Sequence, residues 1–298
     1  MLNLNADFRR SFRSIGRTLS VNEDTVRARL RRLEASGFIQ HWNILLNPSI
    51  LGLHYSQIHI ALDASTSKKE LIARLKLMPG VLVLTNWYGD GVGMILVYDN
   101  VNLLRNGVSL IQSLSNGVIL SFSNVLWPEC NMNMSITDWR IVRALQRDPR
   151  KSHSSIANQV RISLRTVERR LQRMVHAKAL FAFPTLKPNA LEGTILADLE
   201  VSYSHRDGPL LCRNISQQLV DYLWHMFFTV SAKPGDSVSY TFFNLALPSV
   251  AKANEILDSI KNERLAIDPR IELWVECFTL MQAQDHYLEA RLSSLGID

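Results

Sequence analysis

The sequence predicts an α+β chain that follows one plan twice: a winged helix-turn-helix, then a strand–helix–strand–strand–helix–strand domain. Three observations predict it. First, "DFRRSFRSIGRTLSVNEDTVRARLRRL" (7–33) aligns with "DPRKSHSSIANQVRISLRTVERRLQRM" (148–174) at an offset of 141, with Arg9/Arg150, Ser11/Ser152, Ile15/Ile156, Val26/Val167 and Leu30/Leu171 among the identical pairs. Second, the match continues downstream. Pro48 and Gly52 meet Pro188 and Gly193, Gly89–Asp90 meets Gly235–Asp236, and "LWPEC" ending at Cys130 meets "LWVEC" ending at Cys277. Third, helical periodicity within each copy gives way once to alternating strand and helix patterns. A repeat of about 145 residues indicates duplicated domains, because solenoid repeats run roughly 20–50.

Each copy opens with helices. In the second, "SSIANQV" is a short helix, "RIS" a turn, and Ser163 an N-cap for a helix with Val167, Leu171 and Met174 on one face. In the first, Asn22 caps the equivalent helix, whose buried face is Val26, Leu30 and Leu33. "SGFIQHWNILLNP" then reads as a wing. The strand-rich part of the first copy runs "SQIHIALD", "SKKELIARLKLM", "VLVLTNWY", "GMILVYD", "VNLLRNGVSLIQSL" and "VILSFSNVLW". The second copy repeats this from "TILADLEVSY" to "RIELWVECF" and closes with a further helix, "MQAQDHYLEARLSSLG". Such an order is the ferredoxin-like split unit, an antiparallel sheet with two helices on one face. The expected domains are 1–52 (winged helix-turn-helix, first helix truncated), 53–130 (ferredoxin-like), 131–193 (winged helix-turn-helix) and 194–298 (ferredoxin-like with the C-terminal helix). Residues 131–135, "NMNMS", serve as connector.

Composition excludes several classes. No apolar run reaches the eighteen or so residues of a membrane span, and "MLNLNADFRR" has no signal-peptide core, so the cytoplasm is the expected location. Cys130, Cys212 and Cys277 are too scattered for a disulfide framework or a zinc site and read as buried free thiols. The net charge of +6 is unevenly spread. Residues 1–41 hold eight Lys/Arg against four Asp/Glu, residues 136–190 hold twelve against three, and the remainder is acidic. Clustering of this kind is the footprint of a nucleic-acid partner.

The basic helices supply the candidate site. Arg165, Arg169 and Arg173, at i, i+4 and i+8, form a stripe opposite Val167, expected to face DNA; the arginine fork suits phosphate and guanine edges. The same stripe in the first copy is Asp24, Ala28 and Arg32, so that copy is expected to read DNA less strongly or differently. Arg27 and Arg31 lie to one side of it and face the backbone. Arg29 and Arg170 sit near the buried edge, where a structural role (pairing with Glu34 or a hinge carbonyl, for Arg29) competes with DNA contact. Arg9, Arg10, Arg150 and Lys151 precede the second helices and either clamp phosphates or are solvated. With the cap residues Ser163, Thr166, Asn22 and Thr25, the DNA-binding set comprises Arg165, Arg169, Arg170, Arg173, Arg150, Lys151, Arg27, Arg31 and Arg32. No catalytic or metal site is expected. The histidines show no ligand spacing, His225 reads as packed or edge-strand, and Gly89, Gly91 and Gly93 read as hairpin-turn glycines rather than a phosphate loop.

Together, "SIGRTLSVNEDTVRARLRRLEASGFI" followed by "LNPSILG" resembles the Lrp/AsnC family of prokaryotic transcription regulators, and the resemblance runs through both copies. It implies a winged helix-turn-helix before a ferredoxin-like effector and dimerisation domain. Three departures stand out. The first copy starts late, since Met1 aligns with Val142, which leaves either a start upstream of Met1 or a degenerate first domain. The family's aspartate after a glycine at the third strand is replaced by Gly93 and is missing from "PGDSVSYTFF", which weighs against an amino-acid effector. Two units share one chain, so the acidic parts are expected to pair within it as a pseudo-dimer, with further oligomerisation left open. The resulting expectation is a sequence-specific double-stranded DNA-binding transcription regulator. It is not an enzyme, uses no cofactor, has no membrane partner, and leaves a small-molecule effector open. Its preferred DNA site has two dissimilar halves. Two alternatives compete. Siroheme decarboxylases resemble the same unit but carry an Arg- and His-containing strand motif where this chain has "TNWYGDGVGM". The other is a ligand-sensing or scaffold protein whose helix-turn-helix units do not bind DNA.

Overall fold

A computed structural model describes residues 8–233 and 235–297. The truncated-first-helix expectation falls on residues 1–7 and lies outside the described residues. The chain divides into two compact units. One gathers the segment up to Leu53, Trp127–Leu186 and the segment from Met281; the other gathers His54–Leu126 and Lys187–Leu280.

The first unit holds both helix-turn-helix segments. Helices α1 (Phe12–Thr18) and α2 (Glu23–Ala35) precede strand β1 (Ile39–Leu46) and the short α3 (Pro48–Leu51). Side-chain caps start both helices: Ser11 accepts from the Ser14 amide and Asn22 from the Thr25 amide. The tight turn between them passes through Ser20 at φ 54°, and its counterpart 141 residues on, Arg161, takes φ 58°. Residues that meet at that offset thus share even an unusual backbone conformation. The "SGFIQHWNILLNP" segment does not form a free wing. Its strand β1 pairs antiparallel with β6 (Leu180–Leu186), setting Ile44 opposite Ala182 and Leu45 opposite Phe181. Asn43 secures the pairing by donating to Thr185 Oγ1 at 2.9 Å.

The larger core of this unit runs from Ile44 and Leu46 through Trp139, Ile141, Leu145, Val167, Leu171 and Met174 to Leu288 and Leu292, and Ile15 and Val26 form a smaller one of their own. Leu288 and Leu292 belong to the C-terminal helix α11 (Gln282–Ser294), which the sequence attached to the second strand-rich segment. It packs here instead. The Gln284 amide donates to Ile44 O and accepts from Leu46 N, each at 3.2 Å, and Glu289 pairs with Arg143. The connector also has a structural role, because Met132 and Met134 pack against the larger core.

The second unit is a closed barrel of eight antiparallel strands. Its first half comprises β2 (His54–Ala61), β3 (Val81–Trp87), β4 (Gly91–Tyr98) and β5 (Val118–Leu126), paired β5-β2-β4-β3. The second half comprises β7 (Ile195–Ser204), β8 (Leu223–Ser231), β9 (Val238–Leu247) and β10 (Ile267–Thr279), paired β10-β7-β9-β8. The halves join twice, with Cys277 opposite Thr85 and Ser123 opposite Ser231. Side chains alternate between faces. Ile58, Ile60, Leu84 and Met94 bury against helices Lys68–Leu75 and Val101–Ser115 through Leu71, Leu75 and Ile111. The opposite face lines the barrel interior. Of the three glycines read as turn residues, only Gly89 (φ 78°) sits in the turn. Gly93 is a strand residue, and a Cβ there would meet the Trp87 ring at 2.4 Å, so the position is small because an indole covers it.

Candidate nucleic-acid interface

The second copy builds a complete three-helix unit: α6 (Ile136–Leu145), α7 (His153–Val160) and α8 (Leu164–His176). Arg161, in the left-handed conformation, ends α7, and Ser163 restarts the chain by accepting from the Thr166 amide at 3.2 Å. The Thr166 and Ser163 hydroxyls lie 2.8 Å apart, so these cap residues are engaged with one another. Val167, Leu171 and Met174 fix the buried face of α8, as the period predicts. Arg165 and Arg169 emerge on the exposed side and make no hydrogen bond or ion pair among the described residues.

Arg173 departs from the stripe read in the sequence. Its Nη2 donates to Asp138 Oδ2 at 2.7 Å, while Arg170 Nη1 donates to Asp138 Oδ1 at 2.9 Å and to Ser135 Oγ at 2.8 Å. The Asp138 side chain is 0% exposed, and the Ser135 amide and hydroxyl donate to its Oδ2 at 2.9 and 2.7 Å. The pair Ser135–Asp138 is the capping box of α6. Burial alone would raise the Asp138 carboxyl. The bonds from Ser135 and Arg170 and the Arg173 charge outweigh it and hold the group below the ordinary carboxylate range. A carboxylate at the start of α6 therefore bolts down the second half of α8. Sequence reasoning missed Asp138, although "SITD" is a legible capping-box signal.

In the first copy, Asn22 Oδ1 accepts from the Thr25 amide at 2.6 Å. Arg27 is engaged within its own copy: it pairs with Glu23 at 2.8 Å and lies over the Phe12 ring. Arg29, expected near the buried edge beside Glu34, is exposed, as are Arg31 and Arg32, and none has an ion pair among the described residues.

The arginines before the second helices do something else. Arg9 Nη1 donates to the carbonyls of Pro149 and Lys151, at 3.0 and 2.9 Å. Arg150 donates to the carbonyls of Phe8 and Arg10, at 2.7 and 3.4 Å, and covers the Phe12 ring. Each residue in this exchange has its counterpart 141 positions away, so the two copies meet through one reciprocal contact. Lys151 is likewise occupied, donating to Gln159 at 2.7 Å and Ala144 O at 3.3 Å. Arg9 and Arg150 bridge the copies and Lys151 is held within its own, so none of the three stands ready as a solvated clamp.

The barrel interior holds a second cluster of functional type. His59 is 1% exposed, with Nδ1 3.3 Å from Glu200 and Nε2 3.6 Å from Glu272. Its ring meets the Trp87 indole edge-on at 4.4 Å. Trp87 Nε1 donates to Asp198 at 2.9 Å, and Asn244 donates to its other oxygen. Burial pushes the Asp198 carboxyl up to about 7, against the hydrogen bonds from Trp87 and Asn244. Glu272 is also raised, chiefly by burial. In "ADLEVS" the period of two places Asp198 and Glu200 on one face, a signal the sequence reading passed over. His225 lies on β8, which the closed barrel leaves with no free edge; burial pushes it down to about 4. Cys130, Cys212 and Cys277 are free, Cys212 buried and the other two partly so. Among the described residues, no group of three or more His, Cys, Asp or Glu is placed to hold a metal ion, and no helix is long and apolar enough to cross a membrane.

Residues 134–175, the segment bearing Asp138 and α8, match the AsnC-type helix-turn-helix domain. The HTH-type transcriptional regulator Ptr1 of Methanocaldococcus jannaschii is 36% identical over 88 residues, which is 29% of this chain and 59% of that protein. The uncharacterized HTH-type transcriptional regulator PH0140 of Pyrococcus horikoshii is 39% identical over 82 residues, 27% of this chain and 51% of that one. The chain thus spans about half the length of the curated relatives it matches. Among solved structures, the siroheme decarboxylase NirDL, in complex with an iron-uroporphyrin III analogue, is similar in fold. The TM-score is 0.54 at 12% identity, over 95% of this chain and 93% of that one.

Proposed function

We propose, with the AsnC-type helix-turn-helix domain of residues 134–175 as premise, that this chain is a double-stranded DNA-binding transcription regulator of Lrp/AsnC type and not an enzyme. We further infer that it is a fused pseudo-dimer, a tandem repeat of a winged helix-turn-helix and a ferredoxin-like unit. The matched left-handed residues Ser20 and Arg161, the reciprocal Arg9 and Arg150 contacts and the equivalent strand orders of the two barrel halves support the repeat. One observation carries the DNA reading. The capped helix α8, entered through a tight turn, leaves Arg165 and Arg169 exposed while Asp138 holds its other end. Base edges are read from the N-terminal part of such a helix.

The test is a gel-shift titration at several salt concentrations. Binding falls as salt rises because cations condensed on DNA are released, with a slope of about −0.9 per phosphate contact. Arg165→Ala/Arg169→Ala should weaken binding and flatten the slope by up to about 1.8. Unchanged binding refutes the assignment of α8 as reader. Arg173 is left intact in this variant because its loss would disturb Asp138.

A second reading, chemistry inside the barrel, is favoured by the buried imidazole of His59 between Glu200 and Glu272. Fold likeness does not carry function. Incubation of purified protein with siroheme, followed by absorption and carbon dioxide release, decides: decarboxylation would replace the regulator reading.

A further inference from the structure

The two copies carry their arginines in different places. In the second, α7 reads "HSSIANQV" and bears no Lys or Arg. The second half of α8 has Arg170 and Arg173 tied to Asp138. On α8 itself the exposed arginines without an ion pair among the described residues are Arg165 and Arg169, in the first half of the helix, with Arg161 in the turn before it. The first copy is the reverse. Its α1 carries Arg13 and Arg17, both exposed, at positions where α7 has Ser154 and Asn158. The start of α2 carries Glu23 and Asp24, and Arg27 is paired with Glu23. The exposed Arg29, Arg31 and Arg32 lie in the second half of α2.

In a helix-turn-helix the first helix crosses the DNA backbone, and the N-terminal residues of the second reach base edges. Cations on the first helix and at the end of the second are therefore placed for phosphates, which position a protein without reporting sequence. Carboxylates where bases would be read repel the same phosphates. We infer that the copies divide the work on DNA: α8 reads base edges through Arg165 and Arg169, whereas the first copy grips phosphates through Arg13, Arg17, Arg31 and Arg32 and reads no sequence. This division rests on the DNA-binding reading above and adds to it which half of the chain sets specificity. The reciprocal Arg9 and Arg150 contacts keep the two halves in one compact unit, so a sequence-blind grip still contributes to affinity at the ordered site.

Selection from a randomised duplex library with the full chain tests it, followed by binding of the selected duplex and a shuffled one. Selection should return one ordered half-site beside a degenerate flank. Arg13→Ala/Arg17→Ala/Arg31→Ala/Arg32→Ala should weaken both duplexes by the same factor and flatten the salt slope by up to about 3.6. Arg165→Ala/Arg169→Ala should lower the preference for the selected duplex, by roughly 5- to 140-fold for each bidentate arginine–base pairing removed. All six positions are exposed, and circular dichroism checks the fold of each variant. Two ordered half-sites, an ordered cytosine facing Asp24, or a changed preference in the first-copy variant would overturn the division. Absence of salt-dependent binding by the unaltered chain to any duplex would instead defeat the DNA reading itself.

Discussion

Replacing Asp138 by Ala removes the acceptor shared by Ser135, Arg170 and Arg173. Breaking a buried pair by deleting one partner costs about 3–5 kcal/mol, because the other charge is left uncompensated. Here the stranded partners differ: the Arg170 side chain is 22% exposed and Arg173 is 53% exposed, so water recovers much of the second interaction. The lower end, about 3 kcal/mol, is the expected loss, and it includes the capping box of α6. For a protein of this size that lowers the Tm by roughly 6–12 °C. Asp138→Asn should do less, since its carbonyl still accepts from Ser135, but it should lose the ionic contribution. The folded carboxyl is held below its ordinary range, so its stabilising effect is present above the unfolded pKa, about 4, and disappears as pH falls through the folded value. Chemical denaturation of the unaltered protein, both variants and the Asp138→Ala/Arg170→Ala double variant measures this. A loss under about 1 kcal/mol, or strict additivity with Arg170→Ala, would refute the claim that one carboxylate bolts α8 to α6.

Two further perturbations follow. Arg150→Ala strands the Phe8 and Arg10 carbonyls and Arg9→Ala those of Pro149 and Lys151, each at an expected cost of about 1.5–3 kcal/mol. The double variant should lose less than the sum in denaturant titrations, and additive losses would contradict a shared contact. In the barrel, the Asp198 carboxyl is pushed up to about 7. The folded state therefore keeps a proton that the unfolded chain releases near pH 4, and stability should decline as pH rises from about 4 to about 7, then level off. Asp198→Asn should shrink that slope whatever it does to absolute stability. A slope identical in the variant places the titration elsewhere.

Local grammar was legible in the sequence where short-range chemistry decides structure. Ser163 and Asn22 cap the helices they were expected to cap, and the face Val167–Leu171–Met174 is the buried one, because caps and the 3.6-residue period act within a few residues. What was illegible depends on partners far along the chain. "SGFIQHWNILLNP" looks like a wing because nothing local says that its edge will be taken by a strand 140 residues away. Arg173 looks outward on a helical wheel, but its side chain is long enough to turn back to an acid on another helix. The C-terminal helix follows a barrel strand, yet Leu288 and Leu292 find their apolar partners among helices. Gly93 carries no local mark of the indole that covers it.

Comparison of the repeats separates what holds the unit together from what faces outward. The side chains that cross between the copies keep their identity: Arg9 and Arg150 perform the same exchange, each on the carbonyls flanking the other. An exchange of that kind constrains both partners at once, since changing either arginine strands two carbonyls on the opposite copy. Positions on the exposed helix faces are free of that coupling, and there the copies differ: Asp24 against Arg165, Ala28 against Arg169, Arg13 against Ser154. The position shared by Arg32 and Arg173 shows how one residue type takes two roles. Arg173 is committed to the acid at the start of α6, whereas Arg32 remains exposed with no ion pair among the described residues. Identity between repeats is therefore a guide to the internal contact, while their differences mark the surface on which a partner that is not itself symmetric would be recognised.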